Sequence, residues 1–156
     1  MAAVPSSIPR ATPGGPVAML GGYRQVIDGV GATRTLAAEE SGALCLFDSA
    51  SGVVYTLPVA SAQTIGMTFE FLVKTTITSN AAKIITADSS TFLVGAVVSA
   101  NSGATTTTAY PANGTTIRAL SSNGTTTGGT IGDRYKVTCI RSEERRVGKE
   151  CLRLCR

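Results

Sequence analysis

Within residues 1–140, any chemistry must come from seven carboxylates (Asp28, Glu39, Glu40, Asp48, Glu70, Asp88 and Asp133) and two cysteines, Cys45 and Cys139, because the chain has no histidine. That absence removes Ser-His-Asp and Cys-His nucleophilic catalysis, the commonest metal ligand and the ordinary pH switch. The carboxylates are sparse, and no spacing sets two of them across a glycosidic bond. No GxSxG elbow, P-loop or dinucleotide fingerprint is present, so acyl transfer and phosphate cradling have no anchor. Zinc would need ligands that the sequence does not supply. We therefore assign no catalytic, cofactor-binding or metal-binding residue and expect no enzyme. Cys45 and Cys139 each lie in an apolar stretch and read as buried thiols that act as small hydrophobes. Whether they bridge depends on whether their strands are neighbours, which two cysteines do not decide. The Asn-Gly-Thr triplets at Asn113 and Asn123 fit a glycosylation sequon, but without a secretory signal Asn-Gly reads first as a hairpin turn.

The elements that would position these residues are strands. Ala (20), Gly (17), Ser (14) and Thr (22) dominate the 156 residues, a small-residue bias that suits strands joined by tight turns. From Gly21 onward, short apolar runs alternate with turn clusters, which predicts one all-β domain over residues 21–140, an antiparallel β-sandwich of jelly-roll type. The expected strands are Tyr23 to Ile27, Ala43 to Phe47, Val53 to Leu57, Met67 to Lys74, Lys83 to Thr86, Phe92 to Ser99, Thr115 to Leu120 and Arg134 to Ile140. In the fourth, Met67, Phe69, Phe71 and Val73 share one face and should point into the core; Tyr135, Val137 and Cys139 repeat the device in the last. Turns are expected at 49–52, 78–80, 88–90 and the two Asn-Gly pairs, and one helical turn within Leu36 to Ser41. Ala100 to Gly114 reads as a long loop whose Tyr110, stiffened by Pro111, either docks on a neighbour or stays a mobile tip.

The two ends differ from this body. Residues 1–20 hold four of the six prolines and no periodic apolar pattern, so they read as an extended arm rather than a secretory signal or a membrane span. Residues 141–156 carry six basic and three acidic side chains, +3 of the chain's net +4, and two of its four cysteines. The stretch Arg141 to Cys151, RSEERRVGKEC, resembles the in-frame translation of a common sequencing-library adapter, which sets the tail apart as non-native. The remaining body has a net charge of only +1, which argues against nucleic acid as a partner.

The stretches TRTLAAEESGALCLFDSASGVVYTLP (33–58), GMTFEFLV (66–73), NAAKIIT (80–86) and NGTTTGGTIGDRYKVTCI (123–140) together resemble small tailed-phage virion proteins described as capsid decoration or cement proteins. The resemblance rests on the pattern Thr-Leu, Ser-Gly, aromatic-Asp, Gly-Val, Thr-Leu-Pro. It implies a compact β-sandwich forming homotrimers on the outside of the head, with the major capsid protein as partner, no membrane, and assembly in the host cytoplasm. It also implies a further strand after Ile140, where the adapter-like residues stand instead. On this reading Val4, Ile8, Val17 and Leu20 of the arm, with Tyr110, are the expected capsid or subunit contacts. The alternative is a head- or tail-fibre module that binds host surface glycans through the Ala100 to Gly114 loop.

Overall fold

The computed structural model describes residues 24–29, 31–100 and 107–140, together with the backbone of 150–155. The arm anchors Val4, Ile8, Val17 and Leu20 lie outside the described residues, as does most of the adapter-like stretch. The described residues are all-β apart from one 3₁₀ turn at Ala38–Glu40, within the segment expected to be briefly helical. Among the described residues eleven strands are formed: β1 (Val26–Ile27), β2 (Thr33–Thr35), β3 (Leu44–Phe47), β4 (Val54–Thr56), β5 (Thr68–Val73), β6 (Ala82–Ile85), β7 (Thr91–Ala100), β8 (Thr107–Asn113), β9 (Ala119–Ser122), β10 (Arg134–Cys139) and β11 (Glu150–Cys155). They make a seven-stranded sheet, β1-β3-β5-β10-β11-β7-β8, and a four-stranded sheet, β2-β4-β6-β9.

The expected antiparallel pairing is corrected. Strands β1, β3 and β5 run parallel in the large sheet, and β2, β4 and β6 run parallel in the small one. The chain therefore alternates between sheets, laying each new strand beside the one before last, as in a flattened β-solenoid. Alternation of buried and exposed residues is the same in parallel and antiparallel strands, so the sequence pattern could not distinguish them. The loops explain the path. The 49–52 turn, closed by Gly52 N–H to the Ser49 carbonyl at 3.1 Å, carries the chain from β3 in one sheet to β4 in the other. Gly52 has φ +77, and a Cβ there would stand 2.8 Å from the Ala81 carbonyl oxygen, so only glycine lets successive coils approach this closely. From β7 to β10 the pairing becomes antiparallel: β9 closes on β6, β10 on β5, and β7 and β8 form a hairpin.

The core sits between the sheets, where Phe69, Phe71 and Val73 of β5 and Tyr135, Val137 and Cys139 of β10 are buried as their alternation predicts. From the small sheet, Tyr55 and Ile84 reach the same cluster. Phe47, Tyr55 and Phe71 form a ring trio with centroids 5.3, 5.4 and 5.9 Å apart. The Tyr55 hydroxyl, deep in apolar surroundings, donates to the Leu46 carbonyl at 2.7 Å and so ties one sheet to the other.

Two further expectations change. The Ala100 to Gly114 loop is in fact half strand, since β8 covers Thr107–Asn113. Thr and Tyr favour the pleat, and Pro111 is tolerated because β8 is the sheet edge, where its missing N–H breaks no second ladder. The expected strand Thr115 to Leu120 starts later, at Ala119, because the Asn113 Oδ1 captures the N–H groups of Thr115 and Thr116 at 3.0 Å each. The Asn-Gly pairs are thus side-chain-capped crossings between sheets, not hairpins: 113–114 leads from β8 to β9 and 123–124 from β9 towards β10. Finally, β11 lies between β10 (antiparallel) and β7 (parallel) and joins the β7–β8 hairpin to the rest of the large sheet. The last two residues of the adapter-like stretch, Glu150 and Cys151, begin this strand.

Candidate functional site

Asp133 is buried and the other carboxylates lie apart in exposed or half-buried positions; Glu40, Asp48, Glu70, Asp88 and Asp133 are tied into the fold by hydrogen bonds. The Glu70 carboxylate accepts from Arg24 and from Arg134 Nη1 at 2.9 Å, and the hydrogen bond from Arg24 holds it below the usual carboxylate range. Asp48 accepts from Lys74 Nζ at 2.6 Å, which lowers its pKa in turn. Burial pushes Asp88 upward, but hydrogen bonds from Ser90 and Thr91 outweigh it and the net shift is down. Its Oδ1 alone accepts from Ser90 N, Ser90 Oγ and Thr91 N at 2.7–2.8 Å, which fixes the turn into β7. Asp133 Oδ2 accepts from the backbone N–H groups of Gly129 and Thr130 at 2.8 and 3.2 Å. Among the described residues no three His, Cys, Asp or Glu side chains come together to hold a metal ion.

Because three carboxylates are lowered relative to the unfolded chain, their stabilisation is present above the usual carboxylate range and is lost as the pH falls through the folded values. Thermal melts should be flat near neutrality and drop below about pH 4. Glu70→Gln should cost under ~1 kcal/mol at pH 7, since the pair is solvent-screened. That deficit should vanish in acid, where Glu70 is itself protonated; a deficit persisting unchanged to pH 2 would refute the account.

Cys45 and Cys139 are buried, and β5 runs between their strands, so they do not bridge. Burial pushes the Cys45 thiol up to about 12, leaving negligible thiolate at neutral pH. In the folded protein Cys45 should stay unmodified by iodoacetamide at pH 8 and react only in denaturant, as read by peptide mass spectrometry.

Among the described residues one concave feature is a groove of about 270 Å³ where the two sheets end, between β8, the edge of the large sheet, and β9, the edge of the small one. Val97, Tyr110, Pro111 and Ala112 form one wall and Ile117, Ala119 and Leu120 the other; no lining residue is charged. Tyr110, the one loop aromatic singled out from sequence, stands here on β8 and is 37% exposed. Its hydroxyl donates to the Thr126 carbonyl at 2.6 Å. Thr126 is itself held by Asn123, whose Oδ1 accepts from the N–H groups of Thr125, Thr126 and Thr127 at 2.9–3.1 Å. The Asn-Gly-Thr segment read as a turn is thus a clamp that fixes the Tyr110 ring across the groove. Below it, Ser122 Oγ and Tyr135 Oη share a hydrogen bond of 2.9 Å. Sequence reasoning missed Ile117 and Leu120 as partners of Tyr110, because only the crossing from β8 to β9 brings them opposite it.

Such a groove can bind apolar or extended peptide-like groups through contact area and aromatic stacking, but it presents no acid-base pair. Among the described residues no helix is long and apolar enough to cross a membrane. Comparison with protein-family models, with curated proteins and with solved structures finds no match, so the function must be argued from the chain's own residues.

Proposed function

We propose that this is a structural virion protein that binds the outside of a phage head and stabilises the shell, as a homotrimer seated on the major capsid protein. The observation that supports it is where the resemblance pattern falls. Its residues are those that hold one coil of the fold. Leu36 is buried and its N–H donates to the Thr56 carbonyl at 2.9 Å; Ser41 Oγ accepts from Thr68 N at 3.1 Å. Phe47 joins the ring trio, Asp48 pairs with Lys74, Gly52 permits close stacking, and Leu57 N–H donates to the Ile85 carbonyl at 2.8 Å. A pattern that encodes scaffold rather than a reactive constellation suits a protein whose task is mechanical. Exposed Val98, Tyr110, Ile117 and Ile131 offer apolar surface for packing against neighbours. In this reading the two layers form a sandwich whose path is coiled rather than a jelly roll.

The test is saturable binding of the full chain to expanded, empty heads of the encoding phage, set beside a glycan array. Stoichiometric head binding with a blank array is the expected result. Glycan retention without head binding would overturn the proposal in favour of a fibre module. Deleting residues 1–20 should weaken head binding at least tenfold while leaving the melting temperature within about 2 °C, because the arm precedes the coil that carries the core. Unchanged binding would remove the arm from the interface.

A further inference from the structure

We infer that the β8/β9 groove is a binding site for a small, flat, uncharged bicyclic aromatic molecule that carries one hydrogen-bonding group. The groove opens between the two layers rather than across their surface. β8 and β9 are the edges of their sheets and no ladder joins them, so the layers can part there. The floor is made of residues that face the core: Val97 and Ala112 from the large sheet and Leu120 from the small one are each 8% exposed, and Ser122 is 1% exposed. A ligand at this place is enclosed by two inner faces, and the apolar area it buries is what holds it. An apolar cavity of about 150 Å³ takes benzene. At about 270 Å³ this groove has room for a second fused ring.

The lining selects that chemistry. No lining residue is charged, so an ion would lose its hydration there without gaining a partner. A sugar would bring many hydroxyls against mostly apolar walls, and each one left unpaired carries a desolvation cost. A flat ring meets neither penalty. Tyr110 offers it a fixed face, because the ring is held at one end by the β7–β8 ladder and at the other by its hydroxyl, which donates to the Thr126 carbonyl at 2.6 Å. A ring so held stacks on, or meets edge-on, another aromatic with little left to order. Ile117 closes the opposite wall. Ser122 sets the hydrogen-bonding group. Its hydroxyl has one O–H and two lone pairs, and the bond of 2.9 Å shared with Tyr135 Oη leaves it able to accept a further donor whichever of the two donates. The group it suits is therefore an N–H or O–H on the ring, as in indole.

The test is a titration of the isotope-labelled full chain with indole to about 5 mM, which largely fills a site of roughly millimolar or tighter Kd, read by amide chemical shifts. We expect saturable shifts centred on Val97, Ala112 and Leu120. Ala112→Leu, which fills the groove from its floor, should weaken indole binding by about tenfold or more and leave the melting temperature equal or higher. If Ala112→Leu fails to fold, the exposed Ala119→Leu replaces it from the opposite wall. Ser122→Ala should weaken indole roughly three- to tenfold, the worth of one neutral hydrogen bond, and leave binding of benzene, which has no donor, unchanged. No saturable shift, binding unmoved by the filling variant, or indole unmoved by Ser122→Ala would each overturn the inference. So would tighter binding of N-acetyltryptophanamide than of indole, which would give the groove to a side chain of a protein partner. No phage head enters this titration, so its failure leaves the head-binding proposal standing, and the reverse also holds.

Discussion

Replacing Phe71 with alanine is expected to destabilise the domain by about 3–5 kcal/mol, a large share of the 5–15 kcal/mol that holds a typical domain together. Phe71 is fully buried in the middle of the large sheet, opposite Cys45 on β3 and Tyr135 on β10. Its ring also meets Phe47 at 5.9 Å and Tyr55 at 5.4 Å. Truncation would therefore remove a transfer term and leave a cavity bounded by strands of both sheets. Those strands are pinned by ladders and by the Tyr55 hydroxyl on Leu46, so the cavity cannot easily collapse. The change should appear as a fall of roughly 10–15 °C in melting temperature and a lower urea midpoint at unchanged slope. A loss below ~1.5 kcal/mol would mean that the trio is not the centre of the core. Tyr55→Phe is the finer probe: the ring stays and the Leu46 carbonyl loses its donor, at a cost of about 1–3 kcal/mol.

The core was legible from the chain alone because burial follows alternation. Phe69, Phe71, Val73, Tyr135 and Val137 announce their face by spacing, whatever lies beside them. Pairing was not legible for the same reason: a residue that points inward does so whether its neighbour strand runs up or down, and the parallel coil of β1 to β6 is set by loops that cross between sheets. Strand β2 went unnoticed because Thr33, Arg34 and Thr35 are all exposed and carry no apolar alternation. β8 read as a loop because a proline and a threonine run signal irregular chain, and only its position at an edge makes them acceptable. Of the groove, Tyr110 could be picked out as a stiffened aromatic. Its clamp could not, since it depends on a carbonyl at Thr126 that has no side-chain signature. The slot filled by β11 teaches a related point. Strand addition between β10 and β7 is a main-chain interaction, and main-chain ladders accept many sequences. A segment resembling adapter translation can thus occupy a place where the phage resemblance implies a further strand of the protein's own.

The second large effect is expected at Gly124, the residue that lets the Asn123 clamp close. Gly124 has φ +79, and a Cβ built on it would lie 1.8 Å from the carbonyl oxygen of Ile77, a backbone atom that cannot rotate away. Its N–H donates to the Gly128 carbonyl at 2.7 Å, which closes the 124–128 loop, and the Ile77 N–H donates to the Gly129 carbonyl at 3.0 Å, which fastens that loop to the Ile77 segment. Gly124→Ala combines left-handed strain with a clash that only backbone displacement relieves, together about 2–5 kcal/mol. Gly66→Ala is the control. It shares a positive φ of +87 but meets nothing within 4 Å, so its cost should stay near 1 kcal/mol. The consequence reaches the groove: displacing residues 123–127 moves the Thr126 carbonyl from the Tyr110 hydroxyl and frees the ring. In Gly124→Ala held folded at low temperature, Tyr110 should gain accessibility to tetranitromethane while the buried Tyr55 and Tyr135 remain protected. Equal costs for the two glycine variants, or a Tyr110 reactivity that does not change, would show that the 123–127 segment neither needs its glycine nor holds the groove's aromatic wall.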